Sequence, residues 1–297
     1  MIGRLQKILI SLIVFLSGTG ILFGQDSVIA EQVTQKPLEK APFESGYFID
    51  DQTVSIPPAH SLQFVIQHRF GTIQNGFEDL VGIWGASNIR LGLDFSITKN
   101  LLVGAGTTKN KRIQDFQVKY TFLHQRKGGF PFTIAVYGNM GINCTDKSNF
   151  GADYKFAHRF SYVGEIMIAR RFCKEFSAQL GLAWVHYNLV DTTMRNNHVN
   201  PWFKNDNLNI SGIGRFRISP QSSIILSYSQ PVLTYLNTPP WPNFGLGVEI
   251  ATSTHAFQIF VAAAQGIVPQ EVIMYNSNNP YNGAILIGFN ITRLWSF

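Results

Sequence analysis

Hydrophobic and polar residues alternate one by one along most of the chain between residues 60 and 297. The clearest run contains Ile89, Leu91, Leu93, Phe95 and Ile97, which alternate with Asn88, Arg90, Gly92, Asp94 and Ser96. Because successive side chains of a β-strand point to opposite faces, this pattern predicts a strand with one apolar and one polar face. The same rhythm recurs near residues 62–70, 101–108, 116–122, 132–136, 160–168, 176–184, 208–218, 223–229, 244–250, 256–264 and 285–297. The sequence therefore predicts about twelve strands.

The connectors between these strands alternate in length. Short turns fall at 98–100, 124–131, 171–175, 219–222 and 251–254. The intervening connectors, at 71–85, 142–158, 188–206, 230–243 and 265–282, are mostly longer, and only 109–111 is short. Short periplasmic turns and long external loops are typical of outer-membrane barrels. We therefore expect an all-β fold, a closed antiparallel transmembrane barrel with both chain ends on the periplasmic side.

Composition supports this class of protein. Only 14% of the 297 residues are charged, whereas soluble proteins have roughly 25%. Beyond the N-terminus no apolar run approaches the ~18 residues of a membrane helix. A soluble, aromatic-rich β-sandwich would have a similar composition, but it has no reason to alternate its connector lengths.

The beginning of the chain has the order of charged, apolar and small residues that marks an export signal. Arg4 and Lys7 precede the apolar run 8–16, and Gly18 and Gly20 follow it. We expect a signal peptide at 1–24, a polar periplasmic lead segment at 25–59 and the barrel at 60–297. A single membrane anchor is disfavoured because the apolar run is short. The predicted location is the outer membrane of a Gram-negative bacterium.

The end of the chain predicts two partners. Its last strand ends in Trp295 and Phe297, which resembles the C-terminal signature that the barrel insertion machinery reads. The other expected partner is outer-membrane lipid, with Trp84, Trp184 and Tyr187 in the external aromatic girdle. The net charge of +6 comes without clusters of Lys and Arg that contain aromatics, so no nucleic-acid partner is expected. The seven histidines lack metal-ligand spacing, and we predict no metal and no cofactor.

Nine charged residues alternate with the apolar residues of their strand, so by this parity they lie on its opposite face. We expect them to line the lumen. They are Arg69, Arg90, Asp94, Asp115, Lys119, Glu165, Arg215, Arg217 and Glu249. On the lipid side each Arg or Lys would cost ~2–4 kcal/mol at mid-depth. Twelve strands ~4.8 Å apart and tilted ~40° enclose a backbone diameter of about 24 Å.

Two interpretations of this lumen stay open. One is a narrow, weakly selective pore for small polar solutes, with a slight anion preference from Arg215 and Arg217. The other is a network of ion pairs that plugs the barrel, which would then have a structural or adhesive role.

Enzymatic motifs are weak. His68 and Ser87 both fall on the outward face near the external strand ends, where a serine–histidine pair would suit an interfacial lipid hydrolase. Polar residues are ordinary in the headgroup zone, and we predict that the protein is not an enzyme. Gly104-Ala105-Gly106 with Lys109 lacks the Ser or Thr and the helix start of a phosphate loop, so a glycine-rich strand is the better interpretation. Asp50 and Asp51 are expected to be solvated loop residues.

Several segments resemble a known family. They are Pro42 to Gly46, Ile49-Asp50, Gln52-Thr53, Ile66 to Gly71 and Trp84 to Arg90. Together they are similar to a family of bacterial membrane-bound β-barrels of unknown function. The resemblance covers residues 41 to 297 and implies the barrel fold, but it implies no activity and no catalytic residue.

The two cysteines are predicted to be unpaired. Cys144 begins an external loop and Cys173 lies in a periplasmic turn, with one predicted strand between them. A bilayer ~30 Å thick would separate them, whereas a disulfide needs Cα atoms within ~7 Å.

Overall fold

The computed structural model describes residues 36–195, 198–201, 204–233 and 240–297. The predicted signal peptide, 1–24, and residues 25–35 lie outside this part. The strands, labelled in chain order, are β1 (Tyr47–Phe48), β2 (Asp51–Gln52), β3 (Ser61–Thr72), β4 (Asn88–Thr98), β5 (Leu101–Thr108), β6 (Ile113–Leu123), β7 (Thr133–Asn143), β8 (Phe160–Arg171), β9 (Phe176–Tyr187), β10 (Thr192–Arg195), β11 (His198–Pro201), β12 (Asp206–Arg217), β13 (Ser222–Pro231), β14 (Asn243–Ala251), β15 (His255–Ala262) and β16 (Leu286–Ser296). One short α-helix, α1 (Pro269–Met274), and 3₁₀ helices at Ile73–Asp79, Asn110–Arg112, Lys147–Phe150, Phe156–Arg159 and Pro280–Asn282 lie in the connectors.

Twelve of these strands close into one antiparallel barrel. Strands β3 to β9 and β12 to β16 pair with their neighbours along the chain, and β16 returns to β3, with Ile291 opposite Ile66. The predicted all-β closed barrel and its strand count are confirmed. No helix among the residues that the structure describes is long and apolar enough to cross a membrane.

The two faces of the barrel wall differ as the alternating pattern predicts. On β4, Leu93 is 52% exposed on the outside, whereas Arg90 is 3% exposed. Exposed large hydrophobic side chains lie on the outside of most barrel strands, while buried polar ones face inward. An apolar outer surface around a polar interior is the arrangement that a lipid bilayer stabilises.

The two ends of the barrel are unequal, and we name them by their connectors. The short-turn end holds the links between β4 and β5, β8 and β9, and β14 and β15; the long-loop end holds the links at 73–87, 144–159 and 263–285. The first described residues also lie at the short-turn end, where Leu38 forms a β-bridge with Arg126. The last residue, Phe297, donates its backbone N–H to the carbonyl of His60 there.

Residues 43–55 form an inner hairpin that lies inside the barrel. Strands β1 and β2 pair across its tip at Ile49 and Asp50. Phe43, Phe48 and Ile49 are at most 2% exposed and belong to the same apolar cluster as inward-facing wall residues. This location differs from the expected periplasmic lead segment, because the aromatic and aliphatic side chains of this stretch are buried against apolar wall residues inside the lumen.

The helix α1 fills the lumen from the long-loop end. It contacts β8, β9, β12 and β13, and the side chain of Gln270 donates to Asn139 on β7. Ile273 and Met274 are buried. The inner hairpin and α1 thus enter the barrel from opposite ends.

The prediction of two free cysteines is confirmed, since Cys144 and Cys173 are both unpaired and exposed. Cys144 follows β7 at the long-loop end, and Cys173 lies between β8 and β9 at the short-turn end. We expect a membrane-impermeant maleimide to modify only Cys144 on intact cells, and both thiols after the outer membrane is permeabilised. Labelling of Cys173 on intact cells, measured with the Cys144→Ser variant, would contradict the expected orientation, in which the short-turn end faces the periplasm.

Candidate functional site: a filled lumen and an open vestibule

A buried ion pair spans three strands of the barrel wall. Arg90 on β4 reaches over β5 to Asp115 on β6, with Nη2 at 2.6 Å from Oδ2 and Nε at 2.8 Å from Oδ1. Strand β5 has Gly106 at the crossing, where an added Cβ would clash with the guanidinium of Arg90. The glycine therefore makes room for the guanidinium, as charge-assisted, two-point pairing requires.

A second crossing connects the wall to the inner hairpin. Asp94 on β4 lies over Gly104 of β5 and accepts a hydrogen bond from Gln117 on β6. Its other oxygen accepts from the hydroxyl of Tyr47, at 2.7 Å. The glycine-rich stretch that resembled a phosphate loop is thus part of the lumen wall, where it accommodates two charged side chains.

The tip of the inner hairpin carries a carboxylate that pairs with the wall. Oδ1 of Asp50 lies 2.6 Å from Nη2 and 3.0 Å from Nε of Arg69. Its Oδ2 accepts from Asn243 on β14, at 2.9 Å. Both side chains of the ion pair are at most 1% exposed. Asp50 is therefore a buried partner of the wall and not the solvated loop residue that we expected.

Two further cations of the wall face the hairpin. Arg215 pairs with Glu44 of the hairpin at 3.3 Å and with Glu249 of the wall at 3.2 Å. Lys119 donates to the backbone carbonyl of Gly46 at 2.9 Å. The hairpin thus supplies acceptors to the cations that sequence parity placed in the lumen.

The nine residues expected in the lumen occupy three kinds of environment. Seven are buried within the barrel: Arg69, Arg90, Asp94, Asp115, Lys119, Arg215 and Glu249. Glu165 is half-buried and borders a small void beside Asp51. Arg217 lies at the short-turn end, where it donates to the carbonyls of Ser219 and Pro220.

Little free space is left between the hairpin tip and α1. The two voids that border Asp50 and Pro269 measure about 10 and 20 Å³. A single water needs roughly 10–15 Å³ on this measure. These two voids therefore have room for isolated waters and not for a column of hydrated solute.

Above α1 the long-loop end opens into a cavity of about 780 Å³. We call it the vestibule. Its floor includes Glu271 and Tyr275 of the α1 region, and its walls include Ile113, Arg159 and Tyr187. Its volume lies within the ~300–1,000 Å³ that is typical of small-molecule sites.

The placement of Tyr187 in the external aromatic girdle is wrong. Its hydroxyl donates to Glu271 Oε1 at 3.2 Å, and its ring makes an edge contact with Tyr275. Tyr187 has the parity of Ala183 and Val185, which are buried inside the barrel. It therefore points inward, whereas Trp184 is 45% exposed on the outer face.

The vestibule residues had no sequence signal of their own. Glu271 lies in a long connector, and Lys111 pairs with it at 3.0 Å from the turn between β5 and β6. These residues are 160 positions apart. Only the closure of the barrel brings them together.

The family-model comparison matches residues 43–295 to the family described as membrane-bound beta barrel domain (DUF5777). The chain belongs to this family. The match begins at Phe43, so the family's domain includes the inner hairpin as well as the twelve strands.

Three solved structures with a similar fold are at most 12% identical to this chain. The NanC porin is 8% identical with a TM-score of 0.49, and the match covers 80% of this chain and 99% of that one. The KdgM porin in complex with disordered oligogalacturonate is 9% identical with a TM-score of 0.43, over 80% and 99%. The translocator domain of the autotransporter NalP from Neisseria meningitidis is 12% identical with a TM-score of 0.35, over 82% and 91%. No curated protein sequence matches the chain.

The structure does not join His68 and Ser87 into a catalytic pair. His68 lies opposite Ile89 on β4, and its ring stacks on Phe289 at 5.0 Å. Its Nδ1 is buried without a hydrogen-bond partner among the described residues. The family supplies no catalytic residue either, so the hydrolase interpretation gains no support.

Proposed function

We propose that this family member is a resting-state closed barrel in the outer membrane of a Gram-negative bacterium, and that its vestibule binds a solute at the cell surface. The observation that carries the proposal is the filled lumen. The inner hairpin and α1 leave voids of only about 10 and 20 Å³ between them, while the vestibule keeps about 780 Å³ open. On this proposal the protein binds a solute and is not an enzyme.

The proposed orientation puts the short-turn end in the periplasm. Both described chain ends lie there, at Leu38 and Phe297, as export followed by insertion requires. The vestibule then faces the outside. We also propose that the insertion machinery recognises β16, which contains Trp295 and is followed by Phe297.

A second candidate is a pore for small polar solutes that opens when the hairpin leaves the lumen. Its support is the polar contact between hairpin and wall, with ion pairs from Asp50 to Arg69 and from Glu44 to Arg215. Buried ion pairs are often less stabilising than apolar packing, and water can hydrate both partners once they separate. In this second candidate, the lumen without the hairpin is filled with water and lets small polar solutes pass.

Conductance of the purified, refolded protein in planar bilayers tests the resting-state closure. We expect no stepwise current from the unmodified protein, because the voids hold at most isolated waters. Heat-modifiable migration on gels should show that the inserted protein is folded. Regular current steps from folded, unmodified protein would favour the open pore and contradict the resting-state closure.

A further inference from the structure

One cation of the vestibule is held rigidly and has no carboxylate partner. Arg159 donates through Nη1 to the carbonyls of Asn143 and Thr145, both at 2.7 Å, and through Nε to the hydroxyl of Tyr154 at 2.6 Å. Its guanidinium also lies over the rings of Phe150 and Tyr154, at 4.7 and 5.0 Å from their centres. Among the described residues no carboxylate lies within ion-pairing distance of it. Its positive charge is therefore fixed in place and not neutralised locally.

The other charged groups at the vestibule differ from Arg159. Lys111 pairs with Glu271 at 3.0 Å and lies over the ring of Tyr275. Asp146, near Arg159, has its pKa lowered mainly by hydrogen bonds from Ser148, with smaller contributions from Lys147 and Arg159. Because Asp146 is exposed, water and salt screen its charge. The charged side chains of the vestibule lining are thus Lys111, which is compensated by Glu271, Arg159, which has no ion-pair partner among the described residues, and the exposed Asp191, whose charge water and salt screen as they do that of Asp146.

The Nη2 group of Arg159 has no hydrogen-bond acceptor among the described residues, although the other guanidinium nitrogens are used. A guanidinium matches the two oxygens of a carboxylate and forms charge-assisted hydrogen bonds with them. Apolar and aromatic surface lies close by, from Ile113, Val190 and Tyr187. The vestibule therefore combines an anion-binding group with a surface for an apolar body.

We propose that the vestibule binds a small organic carboxylate, with its carboxylate on Arg159 and its apolar body against the wall between β6 and β9. This inference rests on the proposed role of the vestibule as a solute-binding surface, and it names the class of solute. It does not depend on whether the lumen conducts.

Three probes of nearly equal shape test the charge preference. Benzoate, benzyl alcohol and benzylammonium share one ring and differ in the charge of the substituent. We expect calorimetric titration of the refolded full chain to give an affinity for benzoate roughly tenfold or more above the other two, as charged hydrogen bonds usually give. Equal affinities for benzoate and benzyl alcohol would overturn the proposal without any variant being needed.

Inorganic phosphate tests whether the apolar body contributes. We expect it to bind more weakly than benzoate, because it cannot use the surface of Ile113 and Tyr187. Phosphate binding that equals or exceeds benzoate binding would instead assign a site for inorganic or lipid phosphate, and would overturn the organic-carboxylate proposal.

The variant Arg159→Gln should lose the preference for benzoate, whereas Lys155→Gln should keep it. Lys155 lies in the same connector, is exposed, and does not line the vestibule, so both variants remove one positive charge from the loop. An equal loss of the benzoate preference in both variants would show that the overall positive charge of the loop causes it and not a site on Arg159, and would overturn the proposal. The binding tests and the conductance measurement are independent. If benzoate does not bind selectively but the unmodified protein still carries no current, the carboxylate site is wrong and the resting-state closure stands.

Discussion

Replacement of residues 43–55 by a glycine–serine linker of equal length will turn a silent barrel into a conducting one. The hairpin tip bonds to Arg69 on β3, Asn243 on β14 and Asn290 on β16. The helix α1 contacts a different part of the wall, β8, β9, β12 and β13. Removal of the hairpin therefore frees a path beside α1, through a barrel of about 24 Å backbone diameter. Single-channel recording measures the result.

A point variant tests the same idea without removing the segment. A Cβ on Gly245 of β14 would lie 2.7 Å from Cγ2 of Ile49 at the hairpin tip, so Gly245→Leu should displace the tip and give current steps. Gly164 on β8 has no neighbouring atom within 4 Å of an added Cβ, so Gly164→Leu should stay silent. A hairpin-free barrel that inserts, folds and carries no current would show that α1 alone closes the lumen.

The opened lumen should select ions weakly. Loss of the hairpin removes the carboxylates of Glu44, Asp50 and Asp51. The wall keeps four buried or half-buried cations, Arg69, Arg90, Lys119 and Arg215, and four acids, Asp94, Asp115, Glu165 and Glu249. Arg217 at the short-turn end adds one positive charge, so a slight anion preference is expected from reversal potentials.

The variant Asp50→Leu should cost about 3–5 kcal/mol of the free energy of unfolding, because it leaves Arg69 buried without its charge partner. Lys40→Gln provides the matched control. It breaks the Lys40–Glu44 pair, in which Lys40 is 54% exposed, and exposed pairs are worth ~0–1 kcal/mol. Urea unfolding of the refolded protein in detergent, followed by tryptophan fluorescence, measures both.

The double variant Asp50→Leu with Arg69→Met should recover much of that loss, since apolar residues of similar volume often replace buried ion pairs without a penalty. If Asp50→Leu costs no more than Lys40→Gln and stays silent in bilayers, the hairpin is not held by this pair. Current from Asp50→Leu would instead show that the hairpin leaves the lumen and lets water reach Arg69.

The barrel wall was predictable because its information is local. In β4 the apolar residues from Ile89 to Ile97 recur at every second position, and this period alone assigns the two faces. Parity also placed Arg90 and Asp115 on the inner side. It could not show that they pair, because they lie on strands that are not neighbours and meet only across Gly106.

The inner hairpin was not predictable for the opposite reason. Its strands have two residues each, too few for a period to appear. Its acids, together with Pro42, Pro57 and Pro58 on either side, resemble a solvated linker. The contacts that identify it are single residues from distant strands, such as Gln179 on β9 and Gln258 on β15. The vestibule was not predictable for the same reason, since its charged residues come from separate connectors and form no local pattern.

The position of the hairpin in the chain sets the order in which the protein can assemble. Ile49 bonds to Gln258 and Asn290, which are 209 and 241 residues further along the chain. The segment is made early, yet the part of its binding surface that lies on β15 and β16 exists only once those last strands are in place. Contacts of such long sequence separation form slowly. The tip of the hairpin can therefore complete its contacts only after the last strand is in place, although its other partners, on β3, β4, β6 and β9, come earlier in the chain.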